Sequence, residues 1–556
     1  MRLLLLLLLS VLALSLARAV WLQTVRAESL GRLAASQHHE TVTVPAGRGA
    51  ILDRMGVKLA ISEEATTVYA NPKQLTDPRQ AAVAAAETLG VDADVLYPQL
   101  LDRSKGFVYI QRKADADRAT ELQERNIVGI GFLPEERRAY PQGSVAAQAL
   151  GYAGTDNRGL AGLELQLERY LGGRPGSETF VRDPFGRVLN VVRSVPERPG
   201  REVILTLDHT IQANAESVLR QTVSRWGAKR ATAIVLDPRT GGILAMAVAP
   251  GYDANRYPET SQDVHRNVAV TDTYEPGSTF KLVTVSAALS ENLVTENTAF
   301  TLPYGIQVAD RVIHDAEPRG TETMTVAQIL SRSSNVGAIT LAERLGAERL
   351  STWISRYGFG KQTGIDYPGE TPGIVLPVDR WSGSTIGNVP IGQGIAVTPV
   401  QMAAAYASVA NGGVWLTPHV LDRIVGGPKA HVQSRRVLST PIAHKVRSML
   451  VNVVSEGTGT LAAVPGYTIA GKTGTAAKPD PATGTYSTSN YVASFVGMVP
   501  ASRPRLVILV SVDEPRGAIW GGVVAAPAFA RIADFALQYL EVAPDDPASL
   551  GSPGPP

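Results

Sequence analysis

The chain has 556 residues, 44% of them hydrophobic, so it is long enough for at least two domains with cores of their own. Its 53 basic and 51 acidic side chains leave a formal net charge of +2 without any long basic run, which argues against nucleic acid as a partner. Because there are no cysteines, disulfide bonds, thiolate metal sites and a cysteine nucleophile are excluded.

The first residues indicate a membrane segment. Residues 3–17 form an almost unbroken apolar run, which as a helix would rise about 22 Å, or about 30 Å if it continues to residue 22. We therefore expect residues 1–24 to be an uncleaved, single-pass anchor in the cytoplasmic (inner) membrane. The alternative is a signal peptide that is cleaved at the small-x-small pattern of residues 17–19. Both interpretations place the rest of the chain outside the cytoplasm.

Residues 25–200 predict an α+β module without evident clustering of catalytic residue types. Alternating segments at 41–44 and 66–69 are typical of strands, and the alanine-rich stretch 81–89 is typical of a helix. A segment rich in proline and glycine at 196–200 predicts the end of this module.

A second α+β domain is predicted at 201–541, where strands from both ends of the domain's sequence enclose a helical middle. The predicted strands are 203–207, 231–236, 243–248, 491–499 and 506–512, and the last predicted helix is 525–540. Residues 542–556 are rich in proline and glycine, and we expect a disordered tail there.

The chain is organised around a Ser-x-x-Lys pattern. Pro276 and Gly277 interrupt the chain, and apolar residues then recur at helical spacing, so a helix is predicted to begin at or near Ser278. Lys281 follows one turn later on the same face, where its amine can reach the serine hydroxyl. A lysine amine is one of the bases that activate a serine nucleophile.

Ser-x-x-Lys alone occurs by chance, and two later motifs give it weight. A helix with a capping box at Thr325 leads to Ser333 and Asn335, which are predicted at a turn between helices. A predicted strand then carries Lys-Thr-Gly-Thr at 472–475. Taken singly, these motifs could be a helix start, a helix cap and a solvated strand end. Together and in this order, they are the signature of penicillin-binding proteins and serine β-lactamases.

On these motifs the chain resembles the monofunctional, or class B, penicillin-binding proteins, which are peptidoglycan D,D-transpeptidases. The resemblance covers nearly the whole chain and includes segments 138–141, 159–164 and 392–399. It implies an α+β fold: a transpeptidase domain, with an antiparallel sheet flanked by helices and a helical subdomain, on an elongated α+β pedestal behind one transmembrane helix. The pedestal residues to which it gives a structural role are Arg48, Gly49, Asp53, Arg54, Gly56 and Glu164.

The resemblance also implies the catalytic roles. Ser278 would attack the penultimate D-alanine carbonyl of a stem peptide, and Lys281 would be the base in its neutral form. Burial and the second cation Lys472 would together lower the Lys281 pKa from about 10.4 to near 7. Ser333 would relay protons to the leaving amine, and Asn335 would hold the substrate amide and orient the lysine.

The substrate-binding roles fall on the third motif. Lys472 and Thr473 would bind the terminal carboxylate of the substrate, beside Gly474. The backbone N–H groups of Ser278 and Thr475 would form the oxyanion hole.

The implied ligands are peptidoglycan stem peptides and β-lactam antibiotics. No metal or organic cofactor is needed for this chemistry, and the histidines show no metal-ligand spacing. The implied partners are the membrane, through the N-terminal helix, and a polytopic lipid-linked glycan polymerase together with other divisome proteins.

Glu275 favours the septal, cell-division subtype, since the elongation subtype tends to have proline at this position. An elongation-type transpeptidase is the first alternative. A serine β-lactamase would need a carboxylate to activate the deacylating water, and Glu370 is the one candidate between the second and third motifs. A non-catalytic sensor or scaffold is the remaining alternative.

Overall fold

The computed structural model describes residues 2–28, 39–182, 188–480 and 484–549. These residues form two compact units that alternate along the chain. The N-terminal unit comprises Met1–Gly49, Glu64–Arg137 and Gly172–Gly200, and the C-terminal unit comprises Ala50–Glu63, Arg138–Leu171 and Arg201–Pro556.

The helices and strands are numbered in chain order. The strands are β1 (His39–Val44), β2 (Ile51–Leu52), β3 (Lys58–Ala70), β4 (Val108–Asp115), β5 (Ile130–Ala139), β6 (Gly176–Arg182), β7 (Val188–Val195), β8 (Val203–Leu205), β9 (Arg230–Leu236), β10 (Ile243–Ala249), β11 (Ala299–Leu302), β12 (Gly305–Val308), β13 (Arg311–His314), β14 (Glu322–Thr325), β15 (Val414–Leu416), β16 (Leu421–Ile424), β17 (Ser434–Arg436), β18 (Ala470–Asp480), β19 (Thr485–Val499) and β20 (Leu506–Asp513). The α-helices are α1 (Arg2–Thr24), α2 (Pro78–Leu89), α3 (Ala93–Leu101), α4 (Ala116–Glu124), α5 (Ala147–Leu150), α6 (Gly162–Gln166), α7 (Glu168–Leu171), α8 (His209–Trp226), α9 (Gln262–His265), α10 (Val268–Thr271), α11 (Lys281–Ser290), α12 (Val326–Ser331), α13 (Asn335–Leu345), α14 (Ala347–Tyr357), α15 (Thr385–Asn388), α16 (Pro399–Ala410), α17 (Thr440–Ser455), α18 (Gly521–Val524) and α19 (Ala526–Tyr539).

Two segments expected in the pedestal belong instead to the C-terminal unit. Strand β2, which contains Ile51, pairs in parallel with β8, where Val203 is its partner. The backbone N–H of Ala146 donates a hydrogen bond to the carboxylate of Glu216 at 2.8 Å. Both contacts join residues far apart in sequence, so local composition could not place the boundary. Beyond residue 24, the N-terminal unit is therefore built from discontinuous segments within residues 25–200, the range predicted for the pedestal.

Helix α1 has 23 residues and is apolar along its length, with no buried side chain. It is long and apolar enough to cross a membrane, since it rises about 35 Å against a hydrocarbon core of about 30 Å. This single N-terminal helix fits the predicted membrane anchor.

The rest of the N-terminal unit is α+β. Strands β1, β6 and β7 form one antiparallel sheet, and the second half of β3 pairs with β4 and β5. Helices α2, α3 and α4 each begin at an aspartate whose side chain accepts hydrogen bonds from the first turn. The strands and the helix predicted at 41–44, 66–69 and 81–89 are present.

The C-terminal unit is built on an antiparallel five-stranded sheet with the strand order β10-β9-β20-β19-β18. Its strands come from both ends of the domain sequence, as predicted. Helices α8 and α19 pack on the sheet through a core that includes Ile211, Val510 and Phe529. A larger core surrounds Phe280 and Met402 and carries α11 to α17. The sheet therefore places β18 beside the start of α11.

Residues 542–549, part of the tail expected to be disordered, make hydrogen bonds to other parts of the C-terminal unit. The Asp545 carboxylate accepts hydrogen bonds from the Thr468 N–H at 2.8 Å and from the Ser502 hydroxyl at 2.6 Å. The composition of the segment could not indicate these hydrogen bonds, because Thr468 and Ser502 are distant from Asp545 in sequence. The remaining tail residues, 550–556, lie outside the described residues.

Candidate active site

The nucleophile turn begins with one turn of 310 helix, Gly277–Phe280, that continues into α11. This confirms the predicted helix start. Gly277 has φ of +54°, and a Cβ there would lie 2.9 Å from the carbonyl oxygen of Thr475, so glycine is required. Phe280 is fully buried, while Ser278 is partly exposed. Packing of the turn thus holds Ser278 at the surface of the site.

Lys281 brings the first and second motifs together. Its amine is fully buried and donates to the Ser333 carbonyl at 2.5 Å, to Asn335 Oδ1 at 2.7 Å and to Ser333 Oγ at 3.3 Å. Among the described residues the amine makes no hydrogen bond to Ser278, although we expected it to reach that hydroxyl. Burial lowers the pKa of Lys281 to about 7, against an opposing effect of the Asp315 carboxylate. The site therefore holds an amine that can be neutral near neutral pH.

The second motif is a strained turn between two capped helices. Thr325 forms the predicted capping box of α12, and Ser334 caps α13 through the Gly337 N–H at 3.0 Å. Between them Ser333 has φ of +58°, in the left-handed region that non-glycine residues rarely adopt. This conformation turns both the carbonyl and the hydroxyl of Ser333 toward the lysine.

Asn335 has a fixed orientation at the start of α13. Its Nδ2 donates to the His314 carbonyl at 2.9 Å, so its Oδ1 accepts from the Lys281 amine. The nearby ion pair of Asp315 and Arg319, at 2.5 Å between Oδ2 and Nη2, was not predicted from the sequence. An isolated aspartate after a short strand carries no local signal of its role.

The third motif lies on β18, as predicted. Lys472 is fully buried, and its amine donates to the carbonyl and hydroxyl oxygens of Thr473 at 3.3 Å each. The Thr473 hydroxyl also bonds Thr458 at 2.7 Å, and Thr475 Oγ1 accepts from the Gly521 N–H at 3.1 Å. The strand is therefore held at a set position beside the nucleophile turn.

Gly474 permits close packing of the strand on the nucleophile turn. A Cβ at this position would lie 2.9 Å from the Pro276 carbonyl oxygen and 2.3 Å from Ser494 Oγ. Any side chain would push β18 away from the turn that carries Ser278.

The two buried lysines act on one another. Burial lowers the pKa of Lys472 well below its ordinary value, and the charge of Lys281 lowers it further. For Lys281 burial is the largest cause of the lowered pKa, and the Asp315 carboxylate opposes it. Mutual repulsion disfavours two protons on this pair at neutral pH.

The sequence-predicted pedestal residues form ion pairs and turns away from this site. Burial acts to raise the pKa of Asp53, but hydrogen bonds from Val57, His209 and Met55 outweigh it and lower it. Arg54 lies 3.8 Å from Asp208. These contacts tie the segment after β2 to the start of α8.

The other residues for which a structural role was predicted are Glu164, Gly56, Arg48 and Gly49. Glu164 is fully buried and accepts from Arg138 at 2.7 Å, and Gly56 has φ of +86° at a turn. Arg48, next to Gly49, is buried to 4% exposure.

Three other acidic residues have hydrogen-bond or ion-pair partners. Asp53, Asp208 and His209 offer atoms within 4.8 Å of one another, but Asp53 already accepts four hydrogen bonds and the Arg54 guanidinium balances Asp208. Glu370 accepts from the Thr363 N–H and hydroxyl at 2.6 Å each. Its carboxylate therefore stabilises its own loop.

A serine at a helix start, a buried lysine one turn later and a second lysine on an adjacent strand define a serine acyltransferase type of site. The model of the penicillin binding protein transpeptidase domain matches residues 231–534, and that of the penicillin-binding protein dimerisation domain matches residues 43–205. The chain therefore belongs to the penicillin-binding proteins that join these two domains, as the motifs predicted.

Curated relatives are similar over nearly the full chain. Stage V sporulation protein D of Bacillus subtilis is 34% identical over 95% of this chain and 83% of its own length. The probable peptidoglycan D,D-transpeptidase PenA of Neisseria meningitidis is 34% identical over 96% of this chain and 92% of its own. Peptidoglycan D,D-transpeptidase FtsI of Escherichia coli K12 is 33% identical, with shares of 96% and 90%.

Solved structures agree with this assignment. Penicillin binding protein 3 of Mycobacterium tuberculosis, complexed with aztreonam, superposes with a TM-score of 0.72 at 31% identity, covering 92% of this chain and 100% of that one. Penicillin binding protein 2X of Streptococcus thermophilus gives a TM-score of 0.77 at 26% identity, with shares of 92% and 82%.

Proposed function

We propose that this protein is a peptidoglycan D,D-transpeptidase that cross-links stem peptides through an acyl-enzyme on Ser278. The observation that carries the proposal is the position of the buried Lys281 amine. Lys281 follows Ser278 by one helical turn, and its amine donates hydrogen bonds to Ser333 and Asn335. Its lowered pKa makes the neutral, basic form available near pH 7. The named activity of the relatives PenA and FtsI supports the same chemistry.

In the acylation step, Ser278 Oγ attacks the carbonyl carbon of the penultimate D-alanine and loses its proton to the Lys281 amine. The peptide C–N bond to the terminal D-alanine breaks, and the proton passes through the Ser333 hydroxyl to the leaving nitrogen. Free D-alanine departs and the ester remains. The amine of a second stem peptide then attacks the ester, and its proton returns to Ser278.

Substrate binding would favour a charged Lys472 and a neutral Lys281. A terminal carboxylate next to Lys472 and Thr473 would raise the pKa of Lys472 and so favour the charged form of that amine. The charge on Lys472 would in turn favour the neutral form of Lys281. Substrate binding would therefore increase the fraction of Lys281 that can act as a base. Backbone N–H groups of Ser278 and Thr475 would stabilise the tetrahedral oxyanion.

β-Lactams would react with the same serine, and their leaving group would stay tethered by the opened ring. Rapid hydrolysis would need a carboxylate within about 3 Å of a poised water. The Glu370 carboxylate already accepts hydrogen bonds from Thr363, which argues against its activating a water as in a β-lactamase.

We assign the enzyme to septal synthesis on the basis of Glu275. Its Oε1 accepts from the Gly394 N–H at 2.9 Å and from the Tyr486 hydroxyl at 3.0 Å, so this side chain links the nucleophile loop to the β18–β19 hairpin. A proline could make neither contact. Depletion in the source organism should give filaments or chains, whereas rounded cells with intact septa would assign the protein to elongation.

Helix α1 would hold the enzyme in the cytoplasmic membrane, with the transpeptidase domain outside the cytoplasm. The partners that fit this location are a polytopic glycan polymerase and other divisome proteins, next to the stem-peptide substrates. N-terminal sequencing of the mature protein should find residue 1 or 2, and a start at Val20 would show cleavage instead.

A short penicillin pulse followed by intact-mass spectrometry tests the proposed function. We expect one penicilloyl adduct per chain, located on Ser278 and stable for many minutes. The Ser278→Ala variant should carry none. Many hydrolysed penicillins per enzyme, or an adduct on the variant, would refute the proposal.

A further inference from the structure

Asp315 is the hub of a hydrogen-bond cluster beneath the second motif. It follows β13 directly and is 9% exposed. Its carboxylate accepts from the Ser334 hydroxyl at 3.0 Å, from the Asn335 N–H at 2.5 Å and from the Val336 N–H at 3.0 Å. One side chain thus fixes three consecutive residues next to Ser333.

Arg319 holds this carboxylate from the other side. Its Nε and Nη2 donate to Asp315 at 2.8 Å and 2.5 Å. The same guanidinium donates to the carbonyl oxygens of Leu302, Gly320 and Pro303 at 2.8, 2.9 and 3.0 Å. The cation is therefore locked to the end of β11, and the Asp315 carboxylate has little freedom to move.

We propose that Asp315, clamped by Arg319, is a positioning residue for acyl transfer: it sets the Ser333–Asn335 turn against the Lys281 amine and supplies the negative charge that this amine faces. The inference rests on the proposed function, because it concerns the base of that reaction.

The charges around Lys281 support an electrostatic role. Helix α13 presents the neutral Asn335, β18 presents Lys472, and the segment after β13 presents Asp315, which raises the Lys281 pKa against burial. Tyr406 on α16 donates to the Thr279 carbonyl and stays neutral, since burial holds its pKa well above the ordinary value. Asp315 is thus the anion that tunes the base.

A purely structural role is the competing explanation. A carboxylate at a helix N-terminus stabilises the helix wherever it occurs. Asp208 provides the matched case, since it caps α8 through Thr210 and Ile211 and lies 3.8 Å from Arg54. Loss of a cap lowers stability without changing the titration of a distant lysine.

The experiment measures the second-order rate of acylation by fluorescent penicillin from pH 5 to 9.5, with the full-length chain in detergent. Asp315→Asn should lower the limiting rate about tenfold and move the acidic midpoint down by about half a pH unit or more. Arg319→Gln leaves the carboxylate uncompensated, so the midpoint should move up by a similar amount. Arg319→Lys keeps the charge and should hold the midpoint of the unmodified enzyme, and Asp208→Asn should change only stability.

Opposite shifts in Asp315→Asn and Arg319→Gln would support the inference. Unshifted midpoints in both variants, or variants that differ from the unmodified enzyme only in stability as Asp208→Asn does, would overturn it. If Asp315→Asn does not fold, the midpoints of Arg319→Gln and Arg319→Lys decide. A midpoint that moves up in Arg319→Gln alone would support the inference, and equal midpoints would overturn it. An unmodified enzyme that takes no label would overturn the proposed function and the inference together, whereas labelled enzyme with unshifted variants overturns the inference alone.

Discussion

The pH dependence of acylation follows from the environment of Lys281. Burial lowers its pKa from 10.5 to about 7, which corresponds to about 5 kcal/mol against the charged amine. Below this pKa the amine is increasingly protonated and inactive as a base, and above it the amine is neutral. Acylation should therefore rise with pH through an acidic limb with its midpoint at about 7 or below.

The size of the change distinguishes a buried base from an ordinary one. With a pKa of about 7 the rate should grow no more than about tenfold from pH 6 to pH 8, and then stop rising. With a lysine base that kept its ordinary pKa, the acylation rate would increase about a hundredfold from pH 6 to pH 8. It would increase about thirtyfold more from pH 8 to pH 9.5.

The assay is the second-order rate constant of labelling by fluorescent penicillin, which reports the free enzyme. Circular dichroism at each pH provides the control for unfolding. A rate that still climbs about tenfold per pH unit above pH 8 would refute the assignment of Lys281 as the base.

Three further outcomes are expected. Lys281→Ala should lower penicillin acylation on the order of 10²-fold or more while circular dichroism shows the fold retained. Gly474→Ala places a methyl group 2.9 Å from the Pro276 carbonyl oxygen, so it should cost about 1–3 kcal/mol in the free energy of unfolding and slow acylation, whereas Gly106→Ala, with open space around it, should change neither. Glu370→Gln should leave the lifetime of the penicilloyl adduct unchanged, and a longer lifetime would show that this carboxylate assists hydrolysis.

The parts of the site that sequence predicted are those with local signatures. The helix start at Ser278 follows from the Pro-Gly interruption, and the capping box at Thr325 depends on four consecutive residues. The alternation of apolar residues in β19 and β20 likewise reports a buried sheet. Each of these features is decided within a few residues.

The parts that sequence missed depend on distant contacts. Asp315 gains its role from the Ser334–Val336 turn, and Arg319 from carbonyls at the end of β11. The discontinuity of the N-terminal unit has the same cause, since Ile51 pairs with Val203, a residue far along the chain. The depth of burial of Lys281 is also a tertiary property, so its lowered pKa could be anticipated only through the resemblance.

Cross-linking of two stem peptides tests the proposed transpeptidase activity of Ser278 directly. Full-length enzyme in detergent is incubated with a D-alanyl-D-alanine stem peptide as donor and a second stem peptide with a free amine as acceptor. Mass spectrometry should find the cross-linked dimer and one released D-alanine per dimer, and both should be lost with Ser278→Ala. Release of D-alanine with only hydrolysed donor, or dimer formation by the Ser278→Ala variant, would contradict transpeptidation through Ser278.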